Sequence, residues 1–261
     1  MNPDRALPAQ AHLGKAGQSA SVKSASRVLE ILEFAQHIQR PFRAVDLRDQ
    51  LEWPASSTQM LLETMVESGY LIFNHETKHY YPSPRVFSMG SWLNSDHSDL
   101  AGAYKVLEEI AEETGETVAF SIENNFSAQC VKVVPGYKPI PVEIPVGLRA
   151  PLTRSAAGLA ILMAKSDGQA ISSVQKSREL AATDRNSYSQ TIKKVHEFRR
   201  EGRALVYGRL WPESCWISVP TTRTYNKVPI TISAGGSMVT MKRHEDSVTT
   251  AMLSAISRWG A

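Results

Sequence analysis

The stretch that most constrains this chain runs from Pro54 to Pro82, because the spacing of its apolar residues changes period partway through. In "PASSTQMLLETMVESGY", Thr58, Leu61, Leu62, Met65 and Val66 recur at the three- and four-residue spacing of a helix with one buried stripe. Gly69 supplies a stop at its C-terminal end. Proline at a first helical position lacks an N–H that would have had no intrahelical partner, so this helix is predicted to begin at Pro54. The next residues, "YLIFNHETKHYYPS", read as a strand, a polar turn from Asn74 to Lys78, and a second strand ending at Pro82.

Two further helices precede this stretch. "SASRVLEILEFAQH" spaces Val28, Ile31, Leu32 and Ala35 helically, with Ser24 as the expected N-cap. After the interruption at Pro41, Val45, Leu47 and Leu51 support a short second helix from Arg43 or Ala44. Helix, short helix, helix and hairpin is the pattern of a winged helix-turn-helix, whose third helix enters the DNA major groove. With Thr58 and the leucines turned inward, Ser56, Ser57, Gln59, Met60 and Glu63 are left on or near the outer face. Short hydroxyls near a helix N-terminus approach phosphates or base edges, and a glutamine reads adenine; the plainer reading is that Ser56 and Ser57 cap and solvate the helix. Lys78 and His79 are wing candidates for phosphate contact or else part of a solvated turn, and Arg27, Arg43 and Lys23 are further phosphate candidates.

Downstream, residues 84–100 carry Val86, Phe87, Met89, Trp92 and Leu93 and read as a linker helix. A helix from Ala103 to Thr114 comes next, with Val106, Leu107, Ile110 and Ala111 as its core candidates. Strands are expected at Thr117–Ile122, Ala128–Val134 and Pro141–Val146, helices at Thr153–Lys165 and Ser187–Glu201, strands in "RALVYGRL", "CWISVPTT" and "VPITISAG", and a closing helix at Asp246–Arg258. Strands flanked by helices make this second region α+β or α/β. In "RAPLTRSAAGLAILMA", Arg154, Ser155 and Ala156 stand where a helix N-terminus can receive a carboxylate; alternatively Ala156, Ala157 and Gly158 let the helix pack tightly on a sheet.

Charge is needed only to test the DNA reading. Up to Ser95 there are nine basic and nine acidic residues, leaving 20 and 17 of the chain's 29 and 26 for the remainder, so the winged half is neutral. Any nucleic-acid contact must therefore depend on where its charges lie, and nonspecific affinity should be modest. Residues 1–21 lack a signal-peptide core and read as a disordered arm, and the longest apolar runs fall far short of the roughly 20 residues of a membrane span. Cys130 and Cys215 lack C-x-x-C spacing, which points to a reduced, cytoplasmic protein without structural metal. The seven histidines are scattered, and no Ser-His-Asp set, HExxH, Walker loop or GxGxxG stands in a suitable context, so no enzyme and no cofactor are expected.

"SASRVLEIL", "PASSTQMLLETMVESGYL", "ETGETVAFSIENN" and "VGLRAPLTRSAAGLAIL" occur in order and, together, resemble the IclR family of bacterial transcriptional regulators from about Val22 to the C-terminus. The resemblance implies an α+β chain: a disordered arm (1–21), a winged helix-turn-helix (22–83), a linker helix (84–100) and a GAF-like effector-binding domain (101–261). It also implies assembly as a dimer or tetramer on a pseudo-palindromic double-stranded DNA operator, nucleoid-associated when bound, with no membrane partner. "SCWISVP" and "ITISAGG" match the strands that line the family's ligand pocket, which carries Cys215, Trp216 and Ser233 over as pocket candidates. Where many members have Lys before Ser-Thr and Arg or His-Arg further along, this chain has Ala55, Gln59 and Met60, so its operator should differ. The acidic cluster usual before the pocket strand is replaced by "ALVYGRLW"; with Tyr207, Trp211 and Trp216, that favours an aromatic or apolar acid larger than two or three carbons. The alternative is a stand-alone small-molecule binding or catalytic domain whose N-terminal helices serve oligomerisation.

Overall fold

A computed structural model describes residues 22–96, 98–139, 141–180 and 188–260, so the arm expected at 1–21 lies outside the described residues. The described residues fall into two compact units, one running to Asp96 and the other beyond it.

The first unit contains α1 (Lys23–Ile38), α2 (Ala44–Leu51), α3 (Ala55–Glu67), β1 (Leu71–Asn74), β2 (His79–Pro82) and α4 (Pro84–Asp96). The N-cap of α1 is Val22 rather than Ser24, which is already helical. Pro54 likewise stands outside α3 as its N-cap: its φ of −62° suits a helix but its ψ of 136° is extended, and only its carbonyl takes part by accepting from Thr58 N at 3.1 Å. The α3 stripe is Thr58, Leu62 and Met65, packed with Ile31, Phe34, Leu47, Phe42 and Tyr80. Phe42 was not foreseen as part of the hairpin. It exchanges two backbone hydrogen bonds with Tyr80, at 3.1 and 2.7 Å, so the pair β1–β2 gains a third strand position that ties the α1–α2 connection to the wing. The Phe34 and Phe42 rings meet edge to face at 5.3 Å, and each fully buried aromatic contributes about 1.5–3 kcal/mol.

The second unit contains α5 (Ser98–Thr114), β3 (Thr117–Asn124), β4 (Ser127–Val134), β5 (Arg149–Pro151), α6 (Ala156–Met163), α7 (Asp167–Leu180), α8 (Tyr188–Glu201), β6 (Ala204–Tyr207), β7 (Ser214–Tyr225), β8 (Val228–Ser237) and α9 (Met238–Gly260). The strands form one antiparallel sheet in the order β5-β4-β3-β8-β7-β6, which makes the fold α+β. Period-two alternation gives the sheet two unlike faces. Val118, Phe120, Ile217, Val219, Ile232 and Ala234 pack with α5 and α9 residues such as Leu107, Ile110, Met241 and Met252. The other face meets α6, which is buried at seven of its eight residues, as an all-apolar helix must be.

Several boundaries differ from the sequence reading. Pro141–Val146 is not a strand; Pro141 and Pro145 lack ladder donors, and the edge strand β5 forms later, at Arg149–Pro151. The helix expected over Thr153–Lys165 is confined to α6, because Ser155 caps it by accepting from Gly158 N at 3.0 Å. Helix α7 was missed, since among the described residues only Ala170 and Val174 of its apolar side chains are fully buried. Helix α9 begins at Met238, not Asp246, because buried Met241 extends the Val248–Met252–Ala255 stripe upstream. The linker's expected end at Leu100 falls inside α5.

Candidate functional site

In the first unit, the outward face of α3 and the wing hold the side chains expected to meet DNA. Ser56, Gln59 and Met60 are exposed, Met60 at 68%. Ser57 is half-buried and occupied: its hydroxyl donates to Pro54 O at 3.1 Å and accepts from Arg27 Nη1 at 3.1 Å. The Arg27 guanidinium also lies 4.7 Å from the centre of the Trp53 ring, so it braces the start of α3 while its Ser57 bond uses one of its five N–H groups. Gln59 Nε2 donates to Glu63 Oε1 at 2.8 Å and to Tyr80 OH at 3.3 Å. Its amide donors are thereby committed, and only its carbonyl is offered outward until that pair opens.

The remaining candidates stand at helix starts and on the wing. Arg43 is the N-cap of α2, its backbone N–H donating to Asp46 Oδ2 at 2.8 Å, and Lys23 is the exposed first residue of α1. At the wing tip, Asn74 Oδ1 accepts from Glu76 N and Thr77 N at 2.9 and 3.0 Å, which fixes the turn. Lys78 sits exposed at φ 58°, and His79 Nδ1 lies 2.6 Å from Thr77 O.

In the second unit, the α6 side of the sheet borders a half-open cavity of about 60 Å³, roughly the space of a few waters or a small organic molecule. Of the six residues expected there, Arg154, Ser155, Ala156, Trp216 and Ser233 line it. Cys215 does not, and this corrects the sequence reading: alternation along β7 turns Cys215 into the α5–α9 core and Trp216 to the cavity side. Tyr207 is also absent from the lining; it is partly exposed on β6, and its hydroxyl donates to the Glu245 carboxylate of α9. Ser121, Cys130, Arg209 and Ser214 join the lining unforeseen. For Ser121 and Cys130 the available signal was strand alternation, whereas Arg209 lies in a loop and gave none.

The polar groups of the cavity divide sharply. Ser233 donates to Ser218 Oγ at 2.9 Å, Ser214 to Trp211 O at 2.9 Å, and Ser155 to Pro151 O at 3.0 Å, so these hydroxyls offer lone pairs rather than protons. Burial pushes the Cys130 thiol up to about 12, so it remains neutral. The indole N–H of Trp216 is buried without an acceptor among the described residues. Gly235 makes room for this ring, since a Cβ there would stand 2.2 Å from it; Gly235 and Gly236 lie inside β8. Gly158 is equally constrained, because a Cβ would fall 2.4 Å from Leu152 Cα, which supports the tight-packing reading of the small residues opening α6. Among the described residues, no group of His, Cys, Asp and Glu is placed to hold a metal ion, and no helix is long and apolar enough to cross a membrane.

Comparison with known proteins agrees with both units. Residues 24–74 match the IclR helix-turn-helix domain, and residues 96–259 match the bacterial transcriptional regulator IclR C-terminal domain. The acetate operon repressor of Salmonella typhimurium is 26% identical over 72% of this chain and 72% of its own length. The transcriptional repressor IclR of Escherichia coli is 27% identical over 76% and 75%. In fold, Thermotoga maritima IclR superposes with a TM-score of 0.65 at 16% identity, covering 92% of this chain and 98% of that one. Pseudomonas aeruginosa HmgR does so with a TM-score of 0.61 at 18%, covering 91% and 97%. These relatives are transcriptional regulators rather than enzymes, and the chain belongs to the IclR family of bacterial transcriptional regulators.

Proposed function

We propose that this regulator binds a pseudo-palindromic DNA operator as a dimer or tetramer and is modulated by a small organic effector held beneath α6. The observation that carries the DNA half is the outward face of α3, where Ser56, Gln59 and Met60 are spared from the core beside a wing tipped by Lys78. In this reading residues 22–83 are the DNA-binding head, 84–100 the linker and 101–261 the effector domain, and the protein acts in the cytoplasm. Exposed Leu29 on α1 and Phe87, Met89 and Trp92 on α4 support self-association, since apolar side chains concentrated on one unit mark contact surfaces. The two curated relatives are repressors, which favours repression here. Modulation requires only that the effector bind two arrangements of the oligomer with different affinity.

Selection of genomic fragments by the purified chain, followed by retention of the selected sequences at graded salt, tests the reading. Specific, salt-dependent retention of a sequence with two half-sites is expected. A folded oligomer that retains no fragment above random DNA would sink it.

A further inference from the structure

The cavity wall contains two crossed arginines. Arg154, in the turn before α6, donates from Nη2 to Arg209 O at 3.0 Å, while Arg209, in the β6–β7 connection, donates from Nη1 to Thr153 O at 3.2 Å. Each guanidinium thus holds the backbone of the other's segment. Both line the cavity, and among the described residues neither has a carboxylate within ion-pair distance. Lys194 of α8 senses Arg209 as well: burial first, and then the charge of Arg209, lowers its affinity for a proton, while Glu197 and Glu201 act in the opposite direction.

A neutral carbonyl satisfies one of the five donors on each guanidinium but compensates none of its charge. Two cations beside a mainly apolar hollow are costly unless an anion joins them, and a carboxylate accepts the guanidinium fork with two parallel bonds. The hydroxyls of Ser214, Ser233 and Ser155 already donate elsewhere, so the donors left for such a group are the spare guanidinium N–H groups, which also carry the charge, and the indole N–H of Trp216. Trp211 and Trp216, with ring centres 6.1 Å apart and planes inclined at 42°, form an aromatic wall in the same cavity.

Building on the effector reading above, we propose that Arg154 and Arg209 form an anion clasp that selects a small aromatic carboxylate, its ring against Trp211 and Trp216. Binding replaces the crossed carbonyl bonds by bonds to the ligand, which frees the β6–β7 connection from the start of α6.

Calorimetric titration of the full chain with benzoate and phenylacetate, against benzamide, phenylacetamide and acetate, tests the clasp. The two aromatic acids should bind at least tenfold more tightly than their amides and than acetate. Arg209→Gln and Arg154→Gln should each weaken the acids at least tenfold while shifting the amides less than threefold, and Arg209→Lys should restore part of the loss. Equal affinity of acid and amide for the unaltered chain overturns the proposal without any variant, as does an absence of binding by both acids. In the first case the effector cavity stands and only the clasp falls. Retention of operator DNA by the same preparation, measured without any acid, reports separately on the regulator reading.

Discussion

Gln59 and Lys78 are expected to divide the work of recognition, one reading a base and the other holding the backbone. Gln59 is held by Glu63 and Tyr80, so it presents a positioned acceptor, whereas Lys78 stands exposed at the wing tip. Gln59→Ala should relax preference at one operator position by about 1–3 kcal/mol. Lys78→Ala should weaken all sequences alike and lower the salt slope by about one per protomer. Alanine suffers no more strain than lysine at the left-handed backbone of residue 78, so the change reports charge. Titrating both variants against an operator series checks this division, and an equal, sequence-independent loss from the two would refute it. Gly158→Ala is a different kind of test, because the added methyl meets backbone at Leu152 rather than a movable side chain. Overpacking there should cost about 1–3 kcal/mol in denaturant unfolding, and a neutral result would mean that α6 is free to shift.

At the scale of elements, the sheet sorts its side chains by alternation, and the two cysteines end up in different environments as a result. Cys130 on β4 reaches the cavity, while Cys215 on β7 lies in the core under α5 and α9, and both are buried. Neither thiol of the folded chain should react with iodoacetamide at pH 7.5, and both should react once it is unfolded, as mass spectrometry would show. Burial raises the proton affinity of Cys130 in the folded state from the ordinary value of 9.0 to about 12. The folded value is the higher one, so the contribution to stability is complete below about pH 9 and is lost as pH rises through about 12. Thermal unfolding between pH 8 and 11 should therefore fall less steeply for Cys130→Ala than for the unaltered chain. Helix α6 carries the opposite lesson: its apolar run is unmistakable in sequence, yet its start is set by the Ser155 cap and the contact with Leu152.

For the whole molecule, the neutral charge of the DNA-binding half predicts binding that depends on a few placed cations. With Lys23, Arg27, Arg43 and Lys78 as phosphate contacts, a dimer should show a logarithmic salt slope of at most about 7 in magnitude. Sedimentation should give two or four times the 28.8 kDa chain mass, and Phe87→Glu should shift that equilibrium towards the single chain. A single chain that retains its operator undiminished would contradict the oligomeric reading. By itself the sequence determined the helix-to-hairpin switch at α3 and the wing, because helical and strand periods are local and each repeats within a few residues of "STQMLLETMVESGYLIFN". It also determined the order of strands and helices beyond them, apart from α7 and the misplaced edge strand, and the residues that open α6. Only the tertiary structure decided which face of β7 meets the cavity, that Phe42 pairs with Tyr80, and that Arg154 and Arg209 cross. Those relations join residues 38 and 55 positions apart in the chain, and distances of that kind are closed by packing and sheet register, which leave no period in the sequence.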